Sequence, residues 1–382
     1  MEVLDLFQAD TPFYQQSAKG RVEADASQRL FGDQSLRLTT AGSQGQLNLR
    51  ADLGQPLDLS HRNLMLWLRV DGHEHLDAVT LYVGSTEMAA YAVYPVAVGG
   101  TANNELYAHD GEWYAITVSL GDPAAMQGVV DFTAIYSLQV SVSARSAGEV
   151  TVHVNGLATT AKPTRGAVTV MFDDARDTVF THALPVLAEL GLTATVSVIA
   201  DLAGESSFMS VQQLLALQDD HGWEVVAHHK SPLAASASFD RLPAAALAEE
   251  LTGVRAWMLE NELTSGVDAV SYPHGGIDLE AESIVRRYFD RGRTTVRSVG
   301  LETTPPANPL RLRAYVVRDI DEPDDLMRLV DRATASGGWL ILVFHQLVEG
   351  DPLFQTSYRL ADFQTVMEKV ADSGLEVIGL SR

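Results

Sequence analysis

The chain has 382 residues, a length that suits two domains better than a single hydrophobic core. Of these residues 46% are hydrophobic and 20% charged, a composition typical of a globular protein. It carries 27 lysines and arginines against 50 aspartates and glutamates, which gives a formal net charge of −23 at pH 7. Without a cluster of basic residues, neither nucleic acid nor an anionic membrane is expected as a partner. The absence of cysteine excludes disulfides, thiolate metal ligands and cysteine nucleophiles.

The first 160 residues show short stretches in which apolar and polar residues alternate, separated by Gly, Asp, Asn and Ser. This is the pattern of β-strands joined by turns. The stretches lie at 35–39, 46–50, 64–70, 78–83, 113–118, 138–142 and 149–154, the last followed by a predicted turn at Asn155-Gly156. With no convincing amphipathic helix among them, they predict an all-β sandwich domain at residues 1–160. The small and polar residues 158–166 predict a linker.

After residue 166 the pattern changes to strands that alternate with helices. Strands are predicted at 167–172, 193–199, 269–272, 339–344 and 375–380, and helices at 182–190, 243–263, 322–335 and 360–373. Such alternation indicates a parallel sheet whose faces are covered by helices. The sequence therefore predicts an α/β domain at residues 166–382, a closed or partly closed (β/α) barrel.

Three groups of polar residues follow predicted strands of the second half. Asp173 and Asp174 come after the first strand, His228 and His229 end the stretch that starts at Glu224, and His345 follows the strand at 339–344. Active sites of (β/α) barrels lie at the carboxyl ends of the strands. Taken singly, each group has a structural explanation, because an aspartate caps a helix and a histidine closes a strand through a hydrogen bond.

In this order and spacing the groups resemble the motifs of the polysaccharide deacetylase family, the NodB homology domain of carbohydrate esterase family 4. Met171–Ala175, Met-Phe-Asp-Asp-Ala, resembles the opening Thr-Phe-Asp-Asp-Gly motif of the family, and Glu224–His228 resembles its histidine motif. Pro273-His-Gly275 resembles its Pro-(Tyr/Phe)-Gly loop, and the strand that ends in His345 resembles its last motif. The stretch from Phe31 to Leu38 loosely resembles a strand of jelly-roll carbohydrate-binding modules.

The resemblance implies a NodB-type distorted barrel with metal-dependent hydrolase activity, which removes acetyl groups from N-acetylated or O-acetylated polysaccharide such as chitin-like or cell-wall glycan. It implies that Asp173 is the general base and that His345 protonates the leaving group. Asp174 and His228 are the implied metal ligands, with Zn²⁺ as the expected ion and Co²⁺ or Ni²⁺ as alternatives. The oxyanion and substrate loop is implied to comprise Tyr272, Pro273, His274 and Gly275.

The chain departs from the family pattern at several positions, which include His274 in place of the loop aromatic and Ala175 in place of the glycine, and two further departures affect the expected site. The second metal histidine of the family, four residues after His228, is Pro232 here. His229 is the nearest replacement, although consecutive side chains of an extended segment point in opposite directions. The arginine that braces the base aspartate in the family is Ser271 here, and Arg313 is the predicted replacement from another strand.

The departures leave an alternative open, namely a non-catalytic glycan-binding protein or a structural tail or adhesion protein with a degenerate deacetylase domain. The missing second histidine favours this alternative, and the retained aspartates and histidines count against it. The substrate class implies a location outside the cell, at a cell surface or on a virion. No signal peptide is predicted in residues 1–20, which carry Glu2, Asp5 and Asp10. No membrane span is predicted, because no apolar run reaches about 18 residues.

Overall fold

The computed structural model describes residues 1–40, 42, 46–99, 106–145, 148–232, 237–296 and 299–382. By their contacts these residues form two compact units. The first unit comprises Met1–Thr164 together with Val299–Asn308, and the second comprises Arg165–Val296 and Pro309–Arg382. The change of unit after Thr164 falls inside the predicted linker. The alternation pattern gave no indication that Val299–Asn308 joins the first unit.

The described part of the first unit consists of two antiparallel sheets of six strands each. Its strands are β1 Glu2–Asp5, β2 Tyr14–Gln15, β3 Gly20–Asp25, β4 Ser35–Thr40, β5 Gln46–Leu57, β6 Arg62–Asp71, β7 Leu76–Gly84, β8 Tyr91–Val98, β9 Trp113–Ser119, β10 Ala125–Gln127, β11 Ile135–Ala144 and β12 Thr151–Ala161. One sheet has the order β3-β4-β12-β6-β9, with β1 also paired to β12. The other has the order β10-β8-β7-β11-β5-β2. Every predicted strand is present, and the all-β character is confirmed.

The predicted turn at Asn155-Gly156 is wrong, because β12 continues through it to Ala161. The two residues instead form a bulge, at which the register of β12 against β6 shifts between Val154 and Leu157. The amide of Asn155 donates to the carbonyls of Leu6 and Gln34 at 2.9 Å each and is completely buried. These partners lie far away in sequence, so the local pattern did not reveal them. The start of the predicted linker at residue 158 is wrong for the same reason.

The second unit alternates strands and helices. Its strands are β13 Ala167–Phe172, β14 Thr195–Ile199, β15 Glu224–His229, β16 Gly266–Ser271, β17 Arg291–Arg293, β18 Tyr315–Val316, β19 Trp339–Phe344, β20 Gln346–Val348, β21 Ser357–Arg359 and β22 Glu376–Val377. Its helices are α1 Leu184–Glu189, α2 Val211–Asp219, α3 Ala244–Glu260, α4 Leu279–Val285, α5 Pro323–Ser336 and α6 Leu360–Asp372. The main sheet has the parallel order β17-β16-β15-β14-β13-β19-β18, with β22 also paired to β13.

One connecting segment links the two ends of this sheet. Leu312 pairs in parallel with Arg293 of β17, and Tyr315 of β18 pairs with Leu342 of β19. The sheet therefore curls into a distorted barrel, and the predicted fold class is confirmed. None of the helices in the described ranges is long and apolar enough to cross a membrane.

Local sequence signals mark the ends of two helices of the second unit, whereas α4 was not among the predicted helices. Ser210 and Gln213 form a reciprocal capping box at the start of α2. Pro323 opens α5, where its missing N–H needs no partner, and Gly337 ends that helix in the left-handed conformation at φ 70°. The buried face of α5 includes Leu326 and Val330.

The interior of the barrel explains how the polar residues at the strand ends meet. Alternate residues of the parallel strands point inward and form one apolar cluster, which includes Met171, Val226, Ala269, Ile341 and Val343. On β13, β15, β16 and β19 the next inward position carries a polar residue. In chain order these residues are Asp173, His228, Ser271 and His345. The period of two thus places all four at the carboxyl-end mouth of the barrel.

Candidate active site

Asp173 follows β13 and is almost completely buried. Its carboxylate accepts hydrogen bonds from Arg293 Nη2, which lies 2.6 Å from both oxygens, and from Ser197 Oγ at 2.8 Å. Burial by itself raises the pKa of Asp173, but the positive charge of Arg293 and the nearby histidines lower that pKa well below its usual range. Asp173 is therefore held as a carboxylate.

Arg293 is the arginine that braces Asp173, and the sequence analysis missed it. It is completely buried at the end of β17 and is the register partner of Ser271 on the neighbouring strand β16. Ser271 stands where the resemblance leads one to expect the bracing arginine. In this chain the guanidinium reaches the aspartate from the adjacent strand. Arg313 is also buried, and its action on Asp173 stays a prediction.

Asp174 and His228 approach each other at the mouth of the barrel, with 3.7 Å between Asp174 Oδ1 and His228 Nε2. His228 Nδ1 lies 2.8 Å from the carbonyl oxygen of Ser271. The hydroxyl oxygen of Ser271 lies 2.9 Å from the same nitrogen, so Nδ1 is engaged by Ser271 and Nε2 faces Asp174. Asp174 and Ala175 both have left-handed backbones, with φ of 70° and 52°. Two such residues in succession are strained, a feature concentrated at functional sites.

A bulge in β15 brings His229 beside His228. Val198 of β14 pairs with Ala227 and Ile199 with His229, so His228 is the extra residue of the bulge. The ring centroids of the two histidines are therefore only 4.7 Å apart, although they are consecutive. His229 Nδ1 donates to the carbonyl of Ser231 at 2.7 Å, and burial lowers the pKa of His229 to about 3.

His345 follows β19 and shares the mouth with Asp173. Its Nε2 lies 3.9 Å from Asp173 Oδ2. Burial lowers the pKa of His345 below its usual value, against the opposing effect of the two aspartates. Within the described ranges no residue offers its buried Nδ1 a hydrogen bond. The ring therefore presents one nitrogen to the reaction site and is positioned by packing.

The predicted substrate loop forms a single tight turn over Pro273–Gly275. Tyr272 is buried and donates its hydroxyl to the carbonyl of Leu310 at 2.7 Å, so its side chain supports the loop and is shielded from solvent. His274 is exposed with φ 55°, and its charge contributes to the lowered pKa of His229. Gly275 has φ 76°, and a Cβ there would collide with Thr295. The role of this loop toward substrate stays a prediction.

Residues 160–288 match the sequence model of the family described as polysaccharide deacetylase. This segment is a polysaccharide deacetylase domain. It contains Asp173, Asp174, His228, His229 and the loop at 272–275, whereas Arg293 and His345 lie beyond it in the same barrel. The chain matches none of the curated proteins with which its sequence was compared.

Solved structures similar to the chain include three proteins. The Xyl-CE4 domain of a multidomain xylanase from the hindgut metagenome of Trinervitermes trinervoides is 12% identical, with a TM-score of 0.40, over 57% of this chain and 89% of that one. A family 4 carbohydrate esterase from Streptomyces lividans in complex with acetate is 17% identical, with a TM-score of 0.38, over 56% and 91%. A family 4 acetyl xylan esterase from Clostridium thermocellum in complex with a cobalt ion is 14% identical, with a TM-score of 0.40, over 56% and 88%.

The deacetylase domain offers two side chains that suit a divalent cation. The carboxylate of Asp174 and Nε2 of His228 converge, and both are donor types that Zn²⁺ accepts. The described residues contain no group of three or more histidine and acidic side chains that could hold a metal ion. The predicted set of Asp174, His228 and His229 therefore does not come together as one group, and His229 as a third ligand stays a prediction. Asp174 and His228 would supply two ligands to a bound cation. Its other coordination positions, more than in the usual zinc site with three or four protein ligands, would be open to solvent or substrate.

Arg176 is a further charged residue at the mouth of the deacetylase domain. Its Nη2 lies 3.6 Å from Asp174 Oδ2, on the carboxylate that also faces His228. The guanidinium carbon lies 4.4 Å from the centroid of the Phe208 ring, a cation–π contact. About one third of the Arg176 side chain is exposed. The sequence analysis did not single out this residue.

The residues missed by sequence analysis differ in the signal they carried. Ser197 is a polar residue inside the apolar stretch Thr195–Ile199, and its inward position in the alternation marked it as a candidate. Arg293 belongs to a strand of only three residues, which is too short for a period to show. Arg176 lies in a loop, so its contact with Asp174 depends on the tertiary fold.

Proposed function

We propose that the deacetylase domain hydrolyses acetyl groups of acetylated glycans with the help of a divalent cation. One observation carries the proposal. An ionised, buried aspartate, Asp173, lies 3.9 Å from His345, and the next residue faces the Nε2 of His228. A carboxylate base, a histidine acid and a pair of cation ligands around one opening are the parts that amide or ester hydrolysis by water requires.

The residues of the chain have separate roles in this reaction. Asp173 accepts a proton from the water that attacks the acetyl carbonyl, and His345 donates a proton to the nitrogen or oxygen that leaves the sugar. Water is consumed, and acetate and the free amine or hydroxyl are released. When bound at Asp174 and His228, a divalent cation supplies polarisation of the carbonyl and of water. Because water is the nucleophile, no covalent acyl-enzyme is needed.

Arg293 and Ser197 position Asp173 for this role. Their hydrogen bonds fix both carboxylate oxygens. The low pKa keeps Asp173 ionised, and it also makes the carboxylate a weaker base than an unpaired one. A divalent cation held by Asp174 and His228 would make the water more acidic and so offset that weakness. The proposed partner is an acetylated cell-wall or chitin-like polysaccharide. A substrate of this class implies that the protein acts outside the cell, at a cell surface or on a virion.

A second function, binding of acetylated glycan without hydrolysis, is favoured by one observation. Pro232 replaces a metal histidine of the family, and no group of three potential ligands is found in the described part of the chain. The buried ion pair of Asp173 and Arg293 favours catalysis, because a binding site has no need to hold a carboxylate ionised out of water.

Acetate release tests the proposed function. The full chain, supplied with Zn²⁺ or Co²⁺, is incubated with acetylated chito-oligosaccharide, peptidoglycan and acetylated xylan. Asp173→Asn keeps the size of the side chain but removes the proton acceptor, so kcat is expected to fall about a hundredfold or more. Asp268→Asn is the matched control, because Asp268 is exposed and paired with Arg255 at 2.8 Å. No acetate from any glycan, with binding retained, would establish the second function instead.

A further inference from the structure

We propose that Arg176 is a built-in counter-cation of Asp174, which competes with the divalent cation and thereby sets the affinity of the deacetylase domain for it. The proposal rests on the cation-assisted function above, and it assigns a role to a residue outside the motifs of the resemblance. Arg176 is a positioning residue in this proposal, since its effect acts through Asp174.

The position of Arg176 is fixed by its surroundings. Its backbone forms an isolated antiparallel bridge with Phe208, and the N–H of Met209 donates to the carbonyl of Ala175 at 2.9 Å. The ring of Phe208 also packs against the guanidinium of Arg176, whose carbon lies 4.4 Å from the ring centroid. Because both the backbone and the guanidinium of Arg176 are held in place, the side chain stays near Asp174.

Each of the two carboxylates at the mouth has a guanidinium partner before any cation enters. Asp173 pairs with Arg293 at 2.6 Å, and Asp174 pairs with Arg176 at 3.6 Å. Arginine stays protonated at every working pH, so neither pairing is lost by deprotonation of the guanidinium. A divalent cation must therefore displace the guanidinium from Asp174 or bind beside a like charge, and either course lowers affinity.

A solvated ion pair with no role is the simpler explanation of the same contact. About one third of the Arg176 side chain and one fifth of the Asp174 side chain are exposed, and such pairs contribute little to folding stability. The two explanations differ in what they predict for cation binding. A spectator pair leaves the affinity unchanged, whereas a competing arginine lowers it.

Calorimetric titration of the full-length protein with Zn²⁺ separates them. Arg176→Gln is expected to bind Zn²⁺ about tenfold more tightly than the wild type, since one partly screened charge is removed next to a ligand. Arg176→Lys keeps the charge and is expected to stay near the wild type. Arg255→Gln is the matched control, because Arg255 has the same exposed fraction, 33%, and pairs with Asp268 in the same unit. Its affinity is expected to be unchanged.

Two further variants link the effect to the observed contacts. Phe208→Leu keeps the charge but removes the aromatic support, and an affinity between those of the wild type and Arg176→Gln is expected. In an Asp174→Asn background, which lacks the shared carboxylate, Zn²⁺ binding is expected to be lost with Arg176 and with Arg176→Gln alike. Equal affinities of the wild type and Arg176→Gln, or no Zn²⁺ binding by either, would overturn the proposal. Acetate release is measured separately, so loss of the proposed function with an intact affinity difference remains recognisable.

Discussion

The pair of Asp173 and Arg293 shows how single residues fix the candidate site. Arg293 is completely buried and Asp173 nearly so, and the guanidinium contacts both carboxylate oxygens. Neither charge can be left alone there, because an unpaired buried charge is far more costly than the pair. The two residues are 120 positions apart in the chain. Their contact thus couples the opening strand β13 to the short strand β17.

Removal of one member of this pair is expected to destabilise the protein strongly. Arg293→Gln leaves a buried carboxylate without its counter-charge, and the free energy of unfolding is expected to fall by about 3–5 kcal/mol. Adding Asp173→Asn to Arg293→Gln removes the orphaned charge, so the double variant is expected to lose less stability than the two single variants together. Urea denaturation of the four proteins measures this coupling.

The exposed pair of Arg255 and Asp268 supplies the control for the coupling measurement. The same cycle there is expected to give about 0–1 kcal/mol, because the charges are screened by water. Additive losses for Arg293 and Asp173 would show that the two charges are not coupled, contrary to the structure.

At the scale of elements, one row of residues crosses the first antiparallel sheet of the first unit. His153 of β12 is the register partner of Arg37 on β4 and of Arg69 on β6. A protonated His153 would therefore stand between two arginines. Burial is the main cause that lowers the pKa of His153, and Arg69 adds to it, whereas Asp25 at 3.2 Å and Asp71 at 4.0 Å oppose it.

This row makes the stability of the first unit depend on pH. The folded pKa of His153 lies below its unfolded value of about 6.5. The stabilisation is thus fully present above about pH 6.5, and it is lost as pH falls, because the unfolded chain takes up the proton at a higher pH than the folded chain does. We expect the temperature of thermal unfolding to fall between pH 7 and pH 5. His153 contributes at most about 1.4 kcal/mol per pH unit to the slope of the free energy of unfolding. His153→Gln should flatten that slope relative to the wild type.

The fluorescence of Trp113 provides a second measurement of the unfolding of the first unit. Its ring centroid lies 6.1 Å from that of His153. The fluorescence difference between wild type and Trp113→Phe reports on the first unit alone. An identical pH slope in wild type and His153→Gln would rule out His153 as the cause.

At the scale of the whole molecule, the chain has two units with different surfaces. The barrel unit carries the candidate active site, whereas the second sheet of the first unit has a polar face. Gln139 of β11 is there the register partner of both Arg50 and Tyr82. Tyr82 and Tyr91 are half-buried neighbours with ring centroids 5.5 Å apart. Aromatic rings beside hydrogen-bonding side chains suit the apolar faces and hydroxyls of sugars.

Retention on an insoluble polysaccharide tests this face for glycan binding. We expect the full chain to be retained on chitin or cell-wall material. The double variant Tyr82→Ala, Tyr91→Ala is expected to reduce retention about tenfold or more, because each substitution removes an aromatic ring that can stack on a sugar. Tyr136→Ala is the control, because Tyr136 is exposed but lies at the register irregularity near the start of β11 and takes no part in the contact of Tyr82 with Tyr91. Equal retention of all variants would leave the first unit as a scaffold.

The sequence by itself determined the two halves of the protein and the strand ends that carry Asp173, Asp174, His228 and His345. Strand alternation, helix caps and the position of a polar residue after an apolar run are local properties, and they can be seen without knowledge of the fold. The family resemblance, placed by the sequence over residues 166–382, was visible for the same reason, and the family model matches residues 160–288.

Only the tertiary structure decided which residues complete the site. Arg293 rather than a residue of β16 contacts Asp173, because the register of two neighbouring strands places it opposite Ser271. The bulge that brings His229 beside His228 depends on the pairing of β15 with β14. Contacts of this kind join residues far apart in the chain, and strand register is set by packing of the whole barrel rather than by any local pattern.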